Sequence, residues 1–90
     1  MRVISQDGTM DFPYEISTIF IYPRIENVIA IQSAGDSEIS IIGRYSSKEK
    51  AIKAMEMLRK AWINETVEFE DGIYHRNIIF QFPQDDEIEV

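Results

Sequence analysis

From Ser46 to Glu65 the chain reads SSKEKAIKAMEMLRKAWINE, and its apolar positions recur at helical spacing. Wound at about 100° per residue, Ala51, Ala54, Met55, Met57, Leu58, Ala61 and Trp62 fall on one side, and Ile52 and Ile63 widen it. Lys53, Glu56 and Lys60 mark the opposite face, with Glu49–Lys53 and Glu56–Lys60 in the favourable i,i+4 order. Ser46 followed by Glu49 has the spacing of a capping box, in which each side chain answers an orphan amide. No Gly or Pro interrupts the run. A helix over Ser46–Glu65 is predicted.

The rest of the chain is patterned as strands. Arg2–Ser5 and Thr9–Phe12 flank Asp7-Gly8, a strong hairpin signal. Glu15–Tyr22 is rich in β-branched and aromatic residues and ends at Pro23. Val28–Gln32 and Glu38–Tyr45 form two more runs, separated by the turn-forming SAGDS at Ser33–Ser37. After the helix come Thr66–Glu70, the turn signal Asp71-Gly72, and Ile73–Phe82, in which Ile78, Phe80 and Phe82 share a face opposite Ile79. The order predicts one α+β domain over 1–90, an antiparallel meander sheet carrying one main helix.

Two features point to self-association. The apolar arc of the helix exceeds what one sheet face covers. Along Glu15–Tyr22, Ile16, Thr18, Phe20 and Tyr22 point one way and Ser17, Ile19 and Ile21 the other, so neither face reads as polar. A homodimer or higher homo-oligomer is therefore expected. Arg59 is the residue out of pattern, projecting between Met55 and the pair Ile52/Ile63. Either it sits at the edge of the stripe and snorkels to water, or the arc continues into an interface or pocket where it meets an anion.

Composition narrows the function classes. Hydrophobic residues make up 44% and charged residues 28% of the 90 positions, the balance of a folded chain. With no cysteine, thiol catalysis and disulfide frameworks are excluded. The start MRVIS lacks a signal-peptide apolar region, and no run approaches membrane-spanning length, so a cytoplasmic protein without membrane contact is expected. A net charge of −7 argues against nucleic-acid binding. It leaves room for a small anion held by converging arginines, whose planar fork suits phosphate. The acidic tail at 84–90 reads as a solvated end that aids solubility.

Catalytic constellations are missing. His75 is the only histidine, the glycines are scattered singly, and Asp85-Asp86-Glu87 lacks the spaced ligands of a calcium loop. Nothing assembles nucleophile, base and orienter, so no enzyme, no cofactor and no metal site is expected. Two short clusters stand out. Gly43-Arg44-Tyr45 lies where a strand meets a helix N-terminus, either an anion site or a glycine easing a turn beside a stapling tyrosine. Arg76-Asn77 pairs a cation with a bifunctional amide at a strand entrance, suited to phosphate and adenine or simply polar.

Three blocks, MRVISQDGTMDFPYE (Met1–Glu15), RYSSKEKAIKAMEMLRKAW (Arg44–Trp62) and NIIFQFPQDDEIEV (Asn77–Val90), taken in order resemble a group of small proteins of phages and prophages of Gram-positive bacteria. That group is in turn similar to the phage anti-Thoeris "sponge" proteins, which sequester a cyclic ADP-ribose isomer made by TIR-domain immune enzymes. The resemblance implies a homo-oligomeric anti-defence protein that binds a cyclic nucleotide signal without cleaving it. It also implies that Arg59 holds the phosphate, with Arg76, Asn77, Phe12 and Tyr14 completing the pocket. Related chains often carry a longer segment between helix and final strand than this sequence does. The alternative is a non-enzymatic phage or prophage protein that binds and inhibits a host protein through its acidic surface and an exposed sheet edge.

Overall fold

Val28–Ser33 (β4) is the central strand of a sheet in which Ser17–Ile21 (β3) and Ser40–Arg44 (β5) flank it, both antiparallel. This computed structural model describes residues 1–64, 66–69, 72–75 and 78–90, of which 66–69 and 72–75 are described as backbone alone. A second three-stranded sheet has the order Asp11–Pro13 (β2), Arg2–Ile4 (β1), Ile79–Gln81 (β8). Between the sheets in sequence lies the helix Lys48–Asn64 (α1), followed by the antiparallel pair Thr66–Phe69 (β6) and Gly72–His75 (β7). The α+β class is as predicted, with one main helix.

The strands divide between two sheets, and one pairing is parallel. β1 pairs with β2 antiparallel, Val3 opposite Phe12, and with β8 in parallel, Val3 opposite Phe80. Parallel partners need a long crossover, and here everything from β2 to β7 is that crossover. The pairing is extended by Arg2 N–H donating to Ile78 O at 2.9 Å and Phe82 N–H donating to Ile4 O at 3.1 Å. As predicted, Phe82 is buried while Ile79, on the other face, is 70% exposed.

Each turn is set by local chemistry. Asp7 Oδ1 accepts from the Ser5 hydroxyl (2.7 Å), the Thr9 hydroxyl (2.7 Å) and the Thr9 amide (3.0 Å), while Gly8 takes φ +77°. This closes the β1–β2 hairpin through residues 5–10, a wider connection than an Asp-Gly two-residue turn. Gly35, at φ +80°, serves the SAGDS turn between β4 and β5. The strand expected from Glu15 begins later, because Tyr14–Ile16 form a 3₁₀ turn. Ser17 holds it, its amide donating to Tyr14 O and its hydroxyl to Pro13 O.

The core joins both sheets to the helix. Val3 of β1, Ile29 and Ile31 of β4, Ile42 of β5, Phe82, and Ala51, Ala54 and Leu58 of α1 form one buried cluster. The alanines let the helix axis approach the sheets closely. The buried stripe is narrower than the apolar arc: Ile52 is 38% and Ile63 67% exposed. The reverse face of the β3–β4–β5 sheet is apolar as expected, but in this single chain its centre is already inaccessible, with Ala30 at 0% and Val28 at 2%. That face therefore does not require a partner to cover its middle.

The helix start and the C-terminal segment correct two expectations. Ser47, not Ser46, is the cap: Ser47 Oγ accepts from the Lys50 amide at 3.2 Å, and Ser47 O from the Ala51 amide at 3.2 Å. The Ser46 amide is taken by Asp85 Oδ1 at 2.7 Å, so the Ser46/Glu49 box is displaced by a tertiary contact. Nor is the tail a solvated end. Ile88 is buried, the turn Asp85–Glu87 is closed by a Gln84/Glu87 capping box, and Lys50 Nζ donates to Asp85 O at 2.9 Å. Pro83 O accepts from both Tyr45 Oη (2.9 Å) and Gln6 Nε2 (3.2 Å). Burial, with the charges of Asp85 and Glu87 nearby, pushes the Tyr45 hydroxyl well above its usual range.

Candidate functional site

The C-terminal half of α1 and the start of β3 leave a groove between them. Pro13 ends β2, the 3₁₀ turn swings the chain round, and Tyr14 is delivered against Trp62 of the helix, ring centroids 4.8 Å apart and tilted by 40°. Beside this pair the groove opens to a volume of about 670 Å³, walled by Ser17, Thr18 and Ile19 on one side and Met55, Leu58 and Arg59 on the other. Its dimensions are those of a small-ligand site, and its lining is mainly apolar with a few polar groups.

Arg59 is exposed and lies along this wall. Its Nε makes one long contact, 3.4 Å, to the carbonyl of Met55 a helical turn back. Among the described residues it has no carboxylate partner, whereas Arg2, Lys48, Lys50 and Lys53 each have one. Its guanidinium thus keeps its donors available on the rim of an aromatic groove. Glu15 also lines the groove, and its carboxylate accepts from the amino group of Met1, which offsets its negative charge.

The residues picked from the sequence are distributed unevenly. Tyr14 and Arg59 are brought together on one groove. Phe12 is not among the lining residues; it packs half-buried against the core from β2, because β1–β2 pairing points it toward Val3. Arg76 and Asn77 lie outside the described residues, and His75 is described only as backbone at the end of β7. Gly43-Arg44-Tyr45 resolves to packing: a Cβ on Gly43 would lie 3.2 Å from Tyr45 Cε2, so the glycine makes room for the buried ring. The helical periodicity places Trp62 on the apolar face of α1 and does not by itself mark it as a site residue. Its position three residues beyond Arg59 on the same side of the helix was the available signal.

Among the described residues no group of His, Asp and Glu is placed to hold a metal ion, and no helix is long and apolar enough to cross a membrane. Comparison with known proteins gives no match: no family model fits the chain, and no curated protein or solved structure is significantly similar to it.

Proposed function

We propose that the protein binds a small anionic nucleotide in the groove between α1 and β3 and sequesters it without cleavage. The observation that carries this reading is Arg59, a cation with no acidic partner among the described residues, on the wall of a groove that also holds the Tyr14–Trp62 pair. A guanidinium donates in pairs to phosphate oxygens, and an aromatic platform stacks a base. The absence of a nucleophile–base arrangement in the sequence supports holding the ligand rather than converting it.

Joined to the sequence resemblance, the reading becomes a phage anti-defence protein that withdraws a cyclic nucleotide immune signal, a cyclic ADP-ribose isomer, in the host cytoplasm. The test is calorimetric titration of the purified protein with cyclic ADP-ribose isomers, followed by mass analysis of the released ligand. Saturable binding, return of intact ligand, and loss of binding in Arg59→Ala are expected. No heat with any isomer at millimolar concentration rejects the reading.

A further inference from the structure

Of the two three-stranded sheets, one edge stands out as unprotected. Along β3 the pairing with β4 is fixed by Tyr22 N–H donating to Val28 O and Ala34 N–H donating to Ile16 O. Those even-numbered residues therefore turn their backbone groups toward β4, and Ser17, Ile19 and Ile21 turn theirs outward. The Ser17 amide is satisfied by Tyr14 O. The amides and carbonyls of Ile19 and Ile21 face the open side.

The other edges are managed. On β5, Gln6 covers the outer side, its amide donating to Ile42 O at 2.7 Å and its Oε1 accepting from the Arg44 amide at 2.8 Å. β2 is three residues long, ends in Pro13, and carries Asp11 paired with Arg2. β8 is also three residues long. Short strands, proline and charge are the usual protections of an edge. β3 is five residues, STIFI, with no proline and no charge. In a chain of net charge −7, an edge of this length without a charge sets no like-charged side chains against each other when two copies meet along it.

The edge is also self-complementary. Its outward residues are spaced evenly about Ile19, so a two-fold axis through Ile19 sets Ile19 opposite itself and Ile21 opposite Ser17. Each Ile19 amide then meets the other copy's Ile19 carbonyl, and each Ile21 amide the other copy's Ser17 carbonyl. The Ser17 amide, already bonded to Tyr14 O, needs no partner there. We propose that a second copy of this chain pairs its β3 antiparallel along this edge, joining the two β3–β4–β5 sheets into one. The inference does not depend on the nucleotide reading. It bears on it, because Ser17, Thr18 and Ile19 also line the groove, so the second strand would border the ligand site.

The test is sedimentation equilibrium of the full chain with three variants. Ile21→Pro removes an outward amide and leaves the β4 ladder bonds in place; a monomer with unchanged far-UV circular dichroism is expected. Thr18→Lys puts like charges diagonally across the axis at an exposed position, and a weakened dimer that partly recovers in high salt is expected. Ile19→Cys, in a chain otherwise free of cysteine, should give a disulfide-linked dimer on oxidation, while Ser37→Cys should not. A monomeric wild type, with the edge left for some other strand, overturns the proposal. So does a dimer that survives Thr18→Lys and gives no cross-link through Ile19→Cys, even if Ile21→Pro fails to fold.

Discussion

The backbone amide of Ser46 donates to the carboxylate of Asp85 at 2.7 Å, tying the residue before the helix cap to a turn near the end of the chain. Lys50 completes the tie from the first turn of α1, donating to the Asp85 carbonyl and carboxylate. These bonds, the Ser46 amide first, hold the Asp85 carboxyl below its usual range. Asp85→Ala should lower the melting midpoint more than Asp85→Asn, whose amide oxygen can still accept from Ser46. Thermal unfolding of the two variants side by side checks the order.

Acid should loosen two places at once. Asp7 is drawn down to about 2 by the bonds it accepts from Ser5 and Thr9, and Asp85 is also lowered. A depressed carboxyl contributes stability that is complete above its unfolded value of about 4 and is lost as pH falls through the folded value. For Asp7 that window runs from pH ~4 down to ~2. Denaturant melts across this range should show falling stability, and Asp7→Asn should flatten part of the slope.

Alkali acts through Tyr45, whose ionisation is held off in the fold. Its phenol starts to ionise in the unfolded chain near pH 10.0, while the buried, hydrogen-bonded group stays neutral. The unfolded state then binds fewer protons, so stability falls as pH rises above that value. Tyr45→Phe should be less stable at neutral pH, having lost the bond to Pro83 O, yet show a shallower alkaline decline.

Gly43→Ala tests the close approach under that ring. The added methyl would sit 3.2 Å from Tyr45 Cε2 and 3.8 Å from Ile29 Cβ, and the buried surroundings have little room to yield. A loss of about 1–3 kcal/mol, typical of overpacking, should appear as a lower denaturant midpoint with an unchanged slope.

Leu58 and Arg59 are sequence neighbours with opposite expectations. Leu58 is 2% exposed in the core, and Leu58→Ala should cost about 2–5 kcal/mol. Arg59 is exposed and bonded only weakly, so Arg59→Ala should change stability by no more than about 0.5 kcal/mol. If Arg59→Ala instead unfolds the protein, its role is structural and the groove loses its proposed cation.

What the sequence determined by itself is whatever neighbours along the chain enforce. Repetition at 3.6 residues places α1 and selects Ala51, Ala54 and Leu58 for burial. Alternation places Ile78, Phe80 and Phe82 on the face opposite Ile79. Glycines after Asp7 and Ala34 sit where the backbone needs positive φ. What only the tertiary structure decided depends on residues far apart meeting. The cap moved from Ser46 to Ser47 because the carboxylate of Asp85, thirty-nine positions on, takes the Ser46 amide that Glu49 would have accepted in the local box. β1 found β8 in parallel because burying Val3 and Phe82 in one core outweighs the entropy of closing so long a loop, which grows only slowly with length. Arg59 was legible as a misfit on the helix, but the groove beside it exists only because the turn at Tyr14–Ile16 brings an aromatic ring to Trp62.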